Sequence, residues 1–185
     1  MGPPEGRREA ILDAAQVLIL KHGLRGTSME AIARQARVAK PTLYAYFPDK
    51  SAVFDALLVR LIDAWRAQFL AALRGEGDVV QRIAAAMIAK HKAVHGLLGS
   101  SPHADELYGE HDRGGAARFA AFDAGLADII ESELATAGVA RARTVTQFFL
   151  AASDGVGRRA QSAELGPAFR LLAERLLRPE LPGAR

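Results

Sequence analysis

Two groups of residues in this 185-residue sequence have types and spacings that could do chemistry. The first is His91 and His95, which on a helix would share one face and could chelate a metal ion with His103 or His111 as a third ligand. No carboxylate pattern of the HExxH kind accompanies them. The chain has no Cys, which excludes disulfides, thiolate-held zinc and a thiol nucleophile. Ser, His and Asp fall into no nucleophilic grouping, the glycines form no phosphate-cradling loop, and no carboxylate pair stands at catalytic spacing. The expectation is a protein without catalytic residues, resident cofactor or bound metal. A helical metal- or small-molecule-binding protein using His91 and His95, without DNA binding, is the alternative.

The second group is basic and polar and lies in the first 50 residues. That stretch holds eight Lys/Arg against five Asp/Glu, whereas the remainder holds 16 of each, so the whole excess of +3 sits at one end. A basic module on a neutral body points to a polyanionic partner. Within it, Lys40, Pro41, Thr42, Tyr44 and Tyr46 crowd one short segment, flanked by Thr27, Ser28, Arg37 and Lys50.

These residues must be positioned by helices, because the chain is rich in Ala, Leu, Arg and Glu and has no alternating Val/Ile/Thr run. The fold class is all-α. Ile11, Leu12, Ala15, Leu18 and Ile19 predict a helix over about 7–22, stopped by Gly23. Thr27 to Glu30 reads as a capping box opening a short second helix that ends near Ala36. Lys40-Pro41 opens a third, since proline is tolerated in a first turn; Leu43 and Phe47 share its inner face, and Thr42, Tyr44 and Tyr46 point elsewhere. Pro48 closes it and Asp49 caps a long apolar helix running to Leu73. Asp78 caps the next, through Leu98, and Gly99 to Pro102 makes a turn. A short helix to Glu110, a loop at Asp112 to Gly115, and helices over about 116–137, 141–164 and 168–177 complete the expectation, with a frayed tail from Arg178. No apolar stretch is long enough to span a membrane, and residues 1–10 lack the apolar core of a secretory signal, so the expected compartment is the cytoplasm.

Two short helices joined by a tight turn, behind a supporting helix, form the helix-turn-helix pattern, whose second helix enters the major groove of DNA. The run Thr27-Ser28-Met29-Glu30-Ala31-Ile32-Ala33, followed by Val38-Ala39-Lys40-Pro41-Thr42-Leu43-Tyr44-Ala45-Tyr46-Phe47-Pro48-Asp49-Lys50, resembles the signature of the tetracycline-repressor (TetR) family of bacterial regulators. The likeness covers about residues 7–60, with Arg37 where members often carry glycine and Ala39 where they often carry Ser. A non-glycine at that turn implies either a positive-φ backbone at Arg37 or a different turn. The resemblance implies a DNA-binding domain over residues 1–48 and an effector-binding and dimerisation domain over 49–185. On physical grounds Lys40 and Thr42, in the first turn with Pro41, are candidates for base readout. Tyr44 suits a thymine methyl or a phosphate, and Thr27, Ser28, Arg37, Tyr46 and Lys50 suit phosphate contacts that set register.

One recognition helix makes too few base contacts, so a homodimer on a palindromic operator is expected. The resemblance implies that the last two helices pair with their symmetry mates through Phe148, Phe149, Ala152, Gly155, Val156, Leu171, Leu172 and Leu176. It further implies an effector pocket, for which Trp65, Phe69, Tyr108, Phe119 and Phe122 supply the aromatic lining and His91 or His95 a polar anchor. The function these expectations compose is a ligand-responsive transcriptional regulator, most simply a repressor.

Overall fold

The computed structural model describes residues 5–99, 101–103 and 115–183. Their elements are α1 (Glu5–His22), α2 (Met29–Gln35), α3 (Lys40–Tyr46), α4 (Lys50–Leu73), α5 (Val79–Leu98), α6 (Gly115–Thr136), α7 (Ala142–Arg159) and α8 (Leu165–Leu176), followed by a 3-10 turn at Arg178–Glu180. The expected short helix before Glu110, the loop at Asp112 to Gly115, Tyr108 and His111 lie outside the described residues, apart from Gly115, which opens α6. By packing, the chain divides into Met1–Ile62 with Leu97–Phe119, and Asp63–Gly96 with Ala120–Arg185. The division falls inside α4, because the first turns of α4 are built into the N-terminal core.

That core joins Ile11, Leu12, Ala15 and Ile19 of α1, Met29, Ile32 and Ala33 of α2, Leu43 of α3, Phe47 after it, and Val53, Phe54, Leu57 and Leu58 of α4. Short helices such as α2 and α3 are marginal alone and persist because an apolar face is buried. Leu43 is fully buried and Phe47 nearly so, as their spacing requires. Asp49 caps α4 as expected, its carboxylate accepting the Ala52 N–H at 2.8 Å.

The start of α2 differs from the expected capping box by one residue. Ser28 is the N-cap, its Oγ accepting from the Ala31 N–H at 3.1 Å. Thr27 is buried and its hydroxyl donates to the Gly23 carbonyl at 2.8 Å, so it serves the turn after α1 instead. The turn between α2 and α3 takes the positive-φ solution, with Arg37 at φ 55°. The Arg37 N–H bonds the Arg34 carbonyl and the Val38 N–H the Ala33 carbonyl, the paired pattern of a Schellman C-cap.

In the second unit, Asp78 and Gln81 complete a reciprocal cap. The Asp78 carboxylate accepts from Val80 and Gln81 N–H groups, and the Gln81 side chain accepts from the Asp78 N–H. Arg82 to Glu133 at 3.0 Å and Lys90 to Asp123 at 3.2 Å tie α5 to α6. Helix α7 stops at Arg159, five residues short of expectation, because a turn intervenes in which Glu164 accepts the Gln161 N–H. Gly166 and Pro167 do not interrupt the chain; Pro167 sits in the first turn of α8, where its missing N–H costs nothing. Nor is the start of the tail frayed. Arg178 donates to Asp78 at 2.7 Å and to Glu174 at 2.7 and 2.9 Å, and these hydrogen bonds hold both carboxyls below their usual range. Among the described residues, no helix is long and apolar enough to cross a membrane.

Candidate nucleic-acid interface

Helix α3 divides cleanly between an inner and an outer side. Leu43 is sequestered in the core, while Lys40, Pro41, Tyr44 and Ala45 are exposed and Thr42 is half-buried. Tyr44 keeps 44% of its surface exposed, unusual for an aromatic ring with the core one residue away. Tyr46 turns the other way. Its ring packs against the core, 6.5 Å from the Phe47 ring, so it supports the module as well as flanking its surface.

Lys40 is not a free cation. Its Nζ lies 2.5 Å from the Glu30 Oε1, an exposed pair that bridges the first turns of α2 and α3. The Lys40 hydrogen bond holds the Glu30 carboxyl below its usual range, and the same bond raises the Lys40 ammonium. Glu30, expected to reach back to Thr27, instead restrains a residue expected to read bases.

Lys50 is also engaged within its own chain. Its ammonium donates to the Leu24 carbonyl at 2.7 Å and the Thr27 carbonyl at 2.9 Å, so it fastens the start of α4 to the loop between α1 and α2. Thr27, being buried, also leaves the exposed set. Ser28 and Arg37 remain on the surface, Ser28 with its oxygen engaged in the cap.

Two further contacts, unread in the sequence, hold this module. Arg60 of α4 donates to Glu9 at 3.1 Å, Asp13 at 2.7 Å and Gln16 at 2.9 Å, a fork that fits three acceptors along one face of α1. Arg8 stands over the Phe47 ring, 5.6 Å from its centroid. The i, i+4 spacing of Glu9 and Asp13 marks an acidic stripe on α1, but its partner is 47 residues away and carries no local signal.

The other expected site residues divide between the two units. Trp65, Phe69 and Phe122 are buried in the second unit, whereas Phe119 packs against the core of the first. His91 is buried with its ring 4.6 Å from that of Phe169, and desolvation, aided by the Lys90 and His95 charges, lowers its pKa to about 3. His95 Nε2 lies 2.8 Å from the Gly157 carbonyl oxygen. His103 belongs to the first unit, and no group of three metal-ligating side chains occurs among the described residues. The hydroxyls of Thr146 and Ser153, seven apart on α7, are buried without hydrogen-bond partners among the described residues, as is His91 Nε2. Sequence reasoning passed over both hydroxyls because Thr and Ser are ordinarily surface residues.

Of the expected interface residues, Phe149 is fully buried within its own chain and leaves the set. Phe148 and Leu171 are 69% and 60% exposed. A shallow depression lined by Ala152, Gly155, Val156, Pro167, Ala168 and Leu171, with Arg159 and Glu164 among its polar members, lies along α7 and α8.

Residues 11–57 match the family model for bacterial regulatory proteins of the tetR family. The HTH-type transcriptional regulator RutR of Escherichia coli strain K12 is 41% identical over 61 residues, 33% of this chain and 29% of that protein. The chain thus matches less than a third of the length of this curated relative. The structure of AibR in complex with isovaleryl coenzyme A and operator DNA is similar at a TM-score of 0.64 and 23% identity, covering 92% of this chain and 98% of the other. SCO4454, a TetR-family transcriptional regulator from Streptomyces coelicolor, reaches a TM-score of 0.74 at 20% identity, over 95% and 96%. At such identities the likeness is one of fold. The helix-turn-helix segment, residues 11–57, is thus similar to the bacterial regulatory proteins of the tetR family, and the chain as a whole shares the all-helical fold of the AibR and SCO4454 structures.

Proposed function

We propose that the chain binds a palindromic DNA operator as a homodimer, α3 of each protomer entering the major groove, and that a small-molecule effector held in the second unit releases it. The observation that carries this reading is the outer side of α3, where Tyr44 stands exposed beside Thr42 while Leu43 is buried. A short helix that buries its leucine and displays an aromatic ring beside a partly exposed threonine is fitted to base edges. Thr42 and Tyr44 read sequence, and Arg37 and Ser28 lie where backbone phosphates pass.

Dimerisation is supported by the apolar surface of α7 and α8, where Phe148 and Leu171 are the two most exposed large hydrophobic side chains among the described residues. Symmetric pairing of that surface would carry two recognition helices, spaced about 34 Å apart to meet successive major grooves. The effector reading is supported by three buried polar groups, His91 Nε2 and the Thr146 and Ser153 hydroxyls, which have no partners among the described residues. AibR, whose structure holds both operator DNA and an acyl coenzyme A, has the same fold. Occupied DNA is closed to other proteins, so the simplest action is repression.

The test is selection of duplexes from a randomised pool, followed by titration. The wild-type protein enriches a palindrome, and Thr42→Ala or Tyr44→Ala lowers its preference for that duplex over random DNA. Absence of any enriched sequence overturns the reading. Sedimentation velocity checks the dimer: Phe148→Asp yields monomers of unchanged helicity, and a wild-type protein already monomeric at micromolar concentration would contradict it.

A further inference from the structure

The pair formed by Glu30 and Lys40 is placed where a DNA-binding surface has least use for a carboxylate. Glu30 lies in the first turn of α2 and Lys40 opens α3, the Nζ to Oε1 separation is 2.5 Å, and about half of each side chain is exposed. Neither residue belongs to the core; besides Lys40, the Glu30 carboxylate engages its own backbone N–H and Ser28 at the start of α2, bonding that Gln in its place can largely keep.

Its electrostatic consequence is definite. A Lys free to meet a phosphate adds to affinity for any DNA sequence, through release of a condensed counterion. A Lys paired with a carboxylate adds less, because the pair carries no net charge and reaching the phosphate requires breaking it. The carboxylate itself repels the duplex. Both effects weaken random and specific binding, but random binding is almost wholly electrostatic and loses the larger share.

We propose that Glu30 is a specificity-determining residue of the DNA interface: by holding Lys40 away from the phosphates it suppresses sequence-independent binding and leaves discrimination to Thr42 and Tyr44. This rests on the DNA-binding reading above. The side chain acts through Lys40 and touches no base.

The experiment titrates wild-type, Glu30→Gln and Glu30→Ala proteins, by fluorescence anisotropy over a salt series, against the duplex enriched by selection and a random duplex of equal length. Both variants tighten random binding several-fold and selected binding less, so the ratio between the two falls. On the random duplex the slope of log K against log salt steepens by about 0.9 per protomer. Adding Lys40→Gln to Glu30→Gln cancels the steepening, which a merely structural role for Glu30 would not produce. Wild-type binding to the selected duplex, with ratio and slope unmoved in both variants, overturns this proposal and leaves the DNA-binding reading standing. Wild-type protein that binds neither duplex overturns both.

Discussion

The imidazole of His91 occupies the space that a β-carbon on Gly157 would need, Cε1 and Nδ1 both lying well inside van der Waals contact of that position. Helix α7 therefore approaches α5 at a point where glycine leaves room for the buried ring, whose centroid lies 4.6 Å from that of Phe169. Gly157→Ala is expected to destabilise the protein by about 1–3 kcal/mol through overpacking. Gly96→Ala on α5, where an added β-carbon meets nothing within 4 Å, should instead stabilise by about 0.5–1 kcal/mol. Urea unfolding midpoints of the two variants check the contrast, and equal shifts would refute it.

The same burial makes stability depend on pH. His91 titrates at about 3 when folded against an ordinary value of 6.5, so between those values the unfolded chain binds the extra proton. Its contribution to stability is complete above pH 6.5 and is lost as pH falls, at a limiting slope of about 1.4 kcal/mol per pH unit. His91→Leu removes the titration. The unfolding free energy of wild type should then fall relative to that of the variant as the solution is acidified below about pH 6.5; parallel profiles would exclude His91 as the cause.

Lys50 is expected to matter to the module's integrity more than to its charge. Removing the ammonium in Lys50→Ala leaves the Leu24 and Thr27 carbonyls without their donor and costs about 2 kcal/mol. The salt dependence of DNA binding by the folded fraction should stay as in wild type. A slope shallower by about 0.9 per protomer would return Lys50 to the phosphate contacts.

Arg37 trades stability for position. A side chain at φ 55° is strained relative to glycine, so Arg37→Gly should raise stability by about 1 kcal/mol. The variant should also bind selected and random duplexes more weakly, with a shallower salt slope, because the exposed guanidinium is gone. Stability gained without loss of affinity would leave Arg37 with no role on DNA.

Much of this was legible in the residues because it is local. Pro41 opens α3, Leu43 and Phe47 hide one side of it, Asp49 and Asp78 cap the helices that follow, and the non-glycine turn takes one of the two backbones its position allowed. Each of these rests on neighbours within five residues. Where two adjacent residues compete, local rules lose resolution. Ser28 rather than Thr27 caps α2 because the turn at Gly23 draws the Thr27 hydroxyl inward, and Phe149 rather than Phe148 is buried because the core, not the pattern, selects the side of α7.

The sequence by itself determined the helices, the family of the N-terminal module and the candidate set for its DNA face. Tertiary structure decided which members of that set are available: Glu30 claims Lys40 across the α2–α3 turn, and two carbonyls 26 and 23 residues away claim Lys50. Likewise Asp78 and Arg178, 100 residues apart, hold the start of what read as a loose tail. The reason is physical. Helix period, caps and turns arise from bonds between near neighbours, whereas a charged side chain pairs with whatever the folded chain brings within reach.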